Sequence, residues 1–199
     1  MSLTAYPWPQ WLLFFYVYCF LGWCFESALV SVAQRRPVNR GFLKGPFLPI
    51  YGTGAIAILL LTLPVRANPL LVFLLGMLAA TALEFVTGAC MERLFKVRYW
   101  DYSHKRFNVH GYICLTSSLA WGALSVMLVG FLHAAVEHFV LRLSADMVRA
   151  LDFVLSVVFV YDFVTSLRAA YSLRKLIEQS ARLRREVDAL RARIDALSQ

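Results

Sequence analysis

A chain of 199 residues with 60% hydrophobic, 15% aromatic and 16% charged positions is too apolar for a soluble domain, and reads as an all-α polytopic membrane protein. Its apolar residues come in blocks about as long as the roughly 20 residues a helix needs to cross a bilayer, which leaves no stretch for a separate soluble enzyme domain. The formal net charge of +8 clusters beside those blocks, so it marks topology and contact with anionic membrane lipid and argues against nucleic acid as a partner.

The first block follows Tyr6-Pro7-Trp8-Pro9 with neither a basic n-region nor a small-residue cleavage site, and is expected to be a retained span. Roughly five spans can be drawn, at Trp11 to Ala33, Phe47 to Leu63, Leu70 to Met91, Gly111 to Val136 and Met147 to Ala169. Residues 1–170 would then form a transmembrane helical bundle, and residues 171–199 a tail. The connection after span one holds Arg35, Arg36, Arg40 and Lys44; that after span three holds Arg93, Lys96, Arg98, Lys105 and Arg106. The alternate connections offer little beyond Arg66 and Arg142. The positive-inside rule therefore predicts an outer amino terminus and a cytoplasmic tail, with Tyr6, Trp8 and Trp11 as an outer aromatic anchor.

The stretch Asn39-Arg40-Gly41-Phe42-Leu43-Lys44-Gly45-Pro46-Phe47-Leu48-Pro49-Ile50-Tyr51-Gly52 joins the first two spans with basic, glycine and proline residues that a plain connection would not need. Lys105-Arg106-Phe107-Asn108-Val109-His110-Gly111-Tyr112 holds the matching place between spans three and four. Aligning Glu26 with Glu84 brings Arg35 onto Arg93. Aligning Gly45 with Gly111 brings Arg40 onto Arg106 and Lys44 onto His110. A helix, basic loop, helix unit is therefore expected twice, over about 11–63 and 70–136, as a parallel repeat about an axis along the membrane normal.

Glu26, Glu84 and Asp162 fall at similar depths in three spans that run inward, some 20 Å below the outer boundary at about 1.5 Å per residue. Ionised carboxylates in hydrocarbon are costly, so these acids should face the bundle interior and find partners. Arg40, Lys44, Arg106 and His110 are the nearest counter-charges. Pro46 and Pro49 weaken regular helix at the start of span two, and irregular backbone at membrane depth survives only against protein or a water-filled cavity. A polar cavity open to the cytoplasm is expected, with Arg40, Lys44, Tyr51, Arg106, Asn108 and His110 as ligand-binding residues and the acids orienting them or carrying protons. The plain alternative is that these charges are ion pairs that fix helix packing. Apolar residues would pack the helices at lower cost than buried charge, which favours a site.

Glu92 beside Arg93 and Asp152 one turn from Arg149 are expected at the interface, without a functional role. Trp100-Asp101-Tyr102-Ser103 suits an interfacial turn, a lid or a headgroup contact. Asn108 can cap backbone or meet a ligand. Thr116, Ser117 and Ser118 are expected to serve helix packing. His133, Glu137 and His138 are expected to be solvated residues of the outer surface. Cys19, Cys24, Cys90 and Cys114 lie in apolar runs without CxxC spacing, and no metal site or cofactor is expected. Ser-His-Asp, HExxH, GxGxxG and Walker-type patterns are missing, so hydrolysis of nucleotide by this chain itself is not expected, and catalytic residues are unknown.

Beyond span five, Leu173, Leu176, Ser180, Leu183, Val187, Leu190, Ile194 and Leu197 alternate by three and four residues. With Leu173 at a, Val187 and Ile194 are a positions and Leu183, Leu190 and Leu197 d positions, the combination of parallel two-stranded coiled coils. Ser180 weakens the seam, and Glu186 at g would face Arg191 at e of the partner helix. An amphipathic helix lying on the inner leaflet is the alternative. The narrow seam favours a parallel homodimer.

At NRGFLKGPFLPIYG (Asn39 to Gly52) and WDYSHKRFNVHGYICLTSSLAWG (Trp100 to Gly122) the chain resembles the bacterial ABC-transporter permease family of the CmpB type, over spans one to four. Glu26 and Glu84 fall where that family's pattern carries acids, and Tyr112 stands where a basic residue is expected. The resemblance implies a multi-pass protein of the bacterial inner membrane, transport, and an ATPase partner. The leading expectation is a dimeric permease-like protein that binds or moves a small ion, an anionic solute or a lipid headgroup. A membrane-embedded enzyme acting on a lipid phosphate and a dimeric scaffold or regulatory subunit are the alternatives.

Overall fold

The computed structural model describes residues 6–197, without the side chains of 192–195 and 197. α1 covers Trp8–Gln34, with Pro9 in its first turn, where a missing N–H leaves no bond unmade. It stops at Arg35, which takes a left-handed conformation at φ 51°. α2 (Pro49–Thr62) starts on a proline and ends in a 3₁₀ turn, Leu63–Val65. α3 (Pro69–Phe95) is capped by Asn68, whose side chain accepts the Leu70 and Leu71 N–H groups. A short antiparallel pair follows, β1 (Asn108–Val109) with β2 (Ile113–Cys114). α4 (Leu115–Met127) passes through a π-helical turn, Leu128–Leu132, into α5 (His133–Leu141). α6 (Ala145–Leu197) is a single helix of 53 residues, and the Ser144 hydroxyl accepts the Met147 N–H at its start.

Four helical stretches are long and apolar enough to cross a membrane: Trp8–Gln34, Pro69–Phe95, Leu115–Leu141 and Ala145–Arg191. The segment expected as the second span is a shorter apolar helix, Pro49–Val65. The loop before it explains the difference, because it folds back along α1. The Val38 N–H donates to Ser31 Oγ at 2.9 Å and the Arg40 N–H to Ser27 Oγ at 3.2 Å. The Trp23 indole donates to Asn39 Oδ1 at 2.6 Å, and the Leu48 N–H to the Cys19 carbonyl at 3.0 Å. The chain has thus re-entered the bundle by about 22 Å, at 1.5 Å of helix per residue from Gln34 back to Cys19, before α2 begins. α2 needs fewer residues because the loop has already covered part of the distance.

α1 is the central helix, packed against α2, α5 and α6, while α3 packs against α2, α4 and α6. Phe14 and Tyr18 meet Ile58 and Leu59 of α2, Val140 of α5 and Val148 of α6 in the main core. A second cluster joins Tyr16 and Cys19 to the loop residues Leu43 and Phe47, so the re-entrant loop contributes to the core itself. A Cβ on Gly22 would collide with Tyr51 and one on Gly52 with Cys19, so α1 and α2 approach through glycine.

α6 leaves the bundle without a break near residue 170. From Leu173 to Arg191 its side chains are exposed apart from Arg174, which donates to the Leu94 carbonyl near the end of α3 at 3.0 Å. The seam positions Leu173, Leu176, Leu183, Val187 and Leu190 are all exposed. Ile194 and Leu197, expected on the same seam, lie outside the described residues.

Candidate functional site

In the first half of the bundle the close contact at Gly22 brings the first turn of α2 against α1, and Tyr51 points at Glu26. The Tyr51 hydroxyl donates to Glu26 Oε1 at 2.8 Å, and Arg40 Nε lies 3.7 Å from Glu26 Oε2. Neighbouring bonds set the position of Arg40: its own N–H is on Ser27, and Asn39 Nδ2 donates to the Lys44 carbonyl at 2.7 Å. The Arg40 and Glu26 side chains are 42% and 30% exposed, so this loose pair is open on one side.

Asp162 was expected among basic side chains, and the structure corrects this. It is buried and accepts the Lys44 N–H at 3.1 Å, the Gly45 N–H at 2.8 Å and the Ser166 hydroxyl at 3.3 Å. A re-entrant loop has backbone donors that no helix satisfies, and the carboxylate of α6 supplies the acceptors. A Cβ on Gly45 would lie 2.9 Å from Asp162 Oδ2, so this close approach needs glycine. Among the described residues no basic side chain is ion-paired with Asp162.

The second half repeats the theme with different side chains. Glu84 of α3 is buried and accepts the Tyr102 hydroxyl at 3.2 Å and the Ser117 hydroxyl at 3.2 Å, with Trp121 close by. The loop between α3 and α4 folds back to place Tyr102. The Trp100 indole donates to the Tyr112 carbonyl at 2.8 Å, and the Tyr102 N–H to the Gly111 carbonyl at 2.9 Å. Trp100 and Tyr112 both press on Gly88, where a Cβ would be crowded at 3.1–3.2 Å. Burial pushes the Tyr102 phenol above its ordinary range, and the Glu84 carboxylate beside it adds to the effect.

Asn108 is committed to that loop: its Nδ2 donates to the Ser103 and Lys105 carbonyls at 3.2 and 2.7 Å, and its Oδ1 accepts the Gly111 N–H at 3.2 Å. The turn needs such support because Phe107, His110 and Gly111 all have positive φ, of 54°, 54° and 75°. Glu92, expected at the interface beside Arg93, pairs with Arg98 at 2.9 Å. Arg98 also reaches Asp101 at 3.3 Å and lies over the Tyr112 ring, 5.3 Å from its centre. The Ser103 backbone N–H, helped by the Ser103 side chain and by Arg98, holds the Asp101 carboxyl below the usual range.

The two halves meet in one polar layer. Glu26 and Glu84 lie within electrostatic range of each other, and the Tyr51 ring packs against Trp121 with centres 5.5 Å apart. Next to this layer is a cavity of about 160 Å³ lined by all of α1 to α4. A polar cavity was expected, yet the walls of this one are apolar residues such as Leu21, Ile58, Leu83 and Leu124, with Tyr51 and Trp121 at one end. Of the expected ligand-binding residues, the structure brings Arg40 and Tyr51 onto Glu26. Lys44, Arg106 and His110 are exposed on the two loops, the His110 ring resting 6.5 Å from Phe85 and 6.4 Å from Tyr112. Tyr102, Ser117 and Trp121 were missed as site residues. A signal existed for one of them: Ser117 follows Gly111 by the same six positions that separate Tyr51 from Gly45.

At the opposite end of the bundle, His133 is corrected from a solvated residue to a buried one, 3% exposed. Tyr18 Oη is 2.7 Å from its Nδ1, Tyr6 Oη is 3.2 Å from its Nε2, and the Tyr6 hydroxyl donates to Glu137 at 2.5 Å. A neutral ring protonated at Nε2 fits this order of donors and acceptors. Asp152, expected at the interface beside Arg149, is buried with Oδ1 unpaired, and Arg149 pairs with Asp146.

The family model described as "Putative ABC-transporter type IV" matches residues 13–167, which takes in everything from α1 to the bundle portion of α6 and stops before the exposed tail. No curated protein and no solved structure matches the chain.

Proposed function

The chain belongs to that ABC-transporter-related membrane family, and from this premise we propose that it is a permease-like component that binds an anionic group, of a small solute or a lipid headgroup, at the loop end of its bundle. The observation that carries the reading is that Glu26 and Glu84, each hydrogen-bonded within its own half of the chain, are brought side by side where Tyr51 packs on Trp121, with Arg40 at the open side of Glu26. Two carboxylates at that depth are expensive if packing is their whole purpose. With Arg40 oriented by Glu26, the layer gives an anion site its selectivity.

Three further points support the reading. The loops after α1 and α3, residues 35–48 and 96–114, hold eight Lys and Arg against the single acid Asp101, a bias that favours anions and a cytoplasmic position. Tyr51 and Ser117, at matching distances from Gly45 and Gly111, both donate to the acid of the preceding helix, as a repeat would require. The tail carries an exposed heptad seam, which suits a homodimer with the loop ends side by side, where an ATPase partner would also dock.

Native mass spectrometry of the protein released with little delipidation tests this proposal. The parent should carry a discrete anionic adduct that Arg40→Ala and Glu26→Gln lose while keeping the same oligomeric state. Variants that keep the adduct, or a parent without one, would overturn the anion site.

A further inference from the structure

The apolar cavity beside the acid layer has the form of a slot. Its lining runs from Tyr18 to Phe25 on α1 and from Trp121 on α4 to Leu132 at the end of the π-helical turn, a length of about 10–16 Å along the helices at about 1.5 Å per residue. The π-helical turn of Leu128–Leu132 forms the end away from the loops. Phe25, Met127 and Leu132 line the slot and are 42%, 47% and 36% exposed, too much for a cavity sealed within the bundle. The slot therefore has side walls that face the surrounding membrane.

Packing leaves this space open instead of closing it. Gly54 lines it, and a Cβ built there meets only Leu83 Cδ2, at 3.5 Å, an ordinary contact. Gly22 and Gly52 have a packing reason to be glycine; Gly54 has room for a side chain and lacks one. A volume of about 160 Å³ with apolar walls suits apolar matter, since an apolar cavity of about 150 Å³ binds benzene. In a bilayer the apolar matter at hand is hydrocarbon chain.

The two ends differ. Tyr18 closes one end with its hydroxyl engaged by His133. At the other, Tyr51 and Trp121 lead to Glu26, Glu84 and Arg40, under loops with the eight-to-one excess of basic residues. One molecule with an apolar tail and an anionic head matches both ends.

We propose that the slot takes a segment of one acyl chain of an anionic glycerophospholipid, entering sideways past Phe25 and Met127, with the lipid phosphate at Arg40. This rests on the anion-site reading and narrows it to a lipid. Binding needs no covalent step: the phosphate replaces part of the weak Glu26 contact of Arg40, and the chain fills space that the side chains leave.

The test uses the full-length protein in vesicles of phosphatidylethanolamine and phosphatidylglycerol, with a fraction of phosphatidylglycerol carrying a photoactivatable group in one acyl chain. After illumination, labelled residues are mapped. Label on Ile58, Leu124 and Leu128 several-fold above that on the outward-facing Leu74 and Leu78 is the expected result, and Gly54→Leu should remove the slot label while sparing the outward label. Label confined to outward-facing residues of the parent would overturn the proposal without any variant being needed. Slot label that survives Gly54→Leu in a folded protein would do the same. An Arg40→Ala protein that keeps the slot label and its phosphatidylglycerol would overturn the anion site and the headgroup contact together, while leaving the chain in the slot; loss of both supports the whole.

Discussion

Asp162 shows how much one side chain can decide at membrane depth. Its two oxygens serve the backbone donors of Lys44 and Gly45, so Asp162→Ala would strand two N–H groups in a partly buried loop. The expected loss is about 1–3 kcal/mol for each donor left without an acceptor. Thermal unfolding of the purified protein, with limited proteolysis at the 35–48 loop, should show it. Asp162→Asn keeps one acceptor oxygen and should recover a good part of the loss. If both variants behave as the parent does, Asp162 is not what holds the loop. From sequence the depth of Asp162 was legible, but its role was not, because its partners are main-chain groups more than 100 residues away that only the folded loop presents. His133 was misread for a related reason: near the end of an apolar run, nothing local shows that Tyr6 and Tyr18 will enclose it.

At the scale of elements, helices were legible and the loops between them were not. Apolar blocks with a proline at the start predict α1 and α3 within a few residues, whereas α6 begins near the expected Met147 but runs on as one helix through the segment read as a separate tail. Phe47 and Leu48 read as membrane helix by hydropathy, yet they are loop residues buried against α1 and α6, and for that reason the second span comes out short. The close approach of α1 and α2 gives a direct check. Gly22→Val would drive a side chain into Tyr51, and overpacking of that kind costs about 1–3 kcal/mol. The same variant should displace Tyr51 from Glu26 and lower retention of the anionic adduct; a Gly22→Val protein as stable as the parent and with its adduct would mean that this contact does not position the site. The second loop makes a prediction about pH. Asp101 is held below the usual carboxylate range by Ser103 and Arg98, so its contribution is present above the ordinary Asp range and is lost as pH falls through the lowered value. Cleavage of the 96–114 loop by an acid-tolerant protease should therefore rise as the pH drops below the ordinary range, and Asp101→Asn should flatten that rise.

The molecule as a whole is a compact bundle with one helix that outruns it. At about 1.5 Å per residue, the 23 residues from Lys175 to Leu197 extend roughly 35 Å past the Arg174 contact with the end of α3. Arg174 with Glu178 at 2.8 Å and Arg182 with Glu186 at 3.2 Å support the helix along its charged face, but they leave Leu176, Leu183, Val187 and Leu190 exposed. Burying a side chain of this size is worth about 1.5–3 kcal/mol, so a helix with this stripe gains by finding a partner. A second copy supplies an identical stripe in register, and the narrow seam suits a helix partner better than a bilayer surface, which rewards a broad apolar face. Removing residues 172–199, or changing Leu183 and Leu190 together to Lys, should convert a dimer to a monomer in native mass spectrometry while the thermal transition of the bundle stays in place. The membrane-surface reading predicts the reverse: an unchanged oligomeric state, and a tail whose protection from protease depends on anionic lipid. The family match ends at residue 167, before this seam, so a tail that pairs copies would lie outside the matched bundle. A truncated monomer that still takes lipid label in the slot would place binding in the bundle and pairing in the tail.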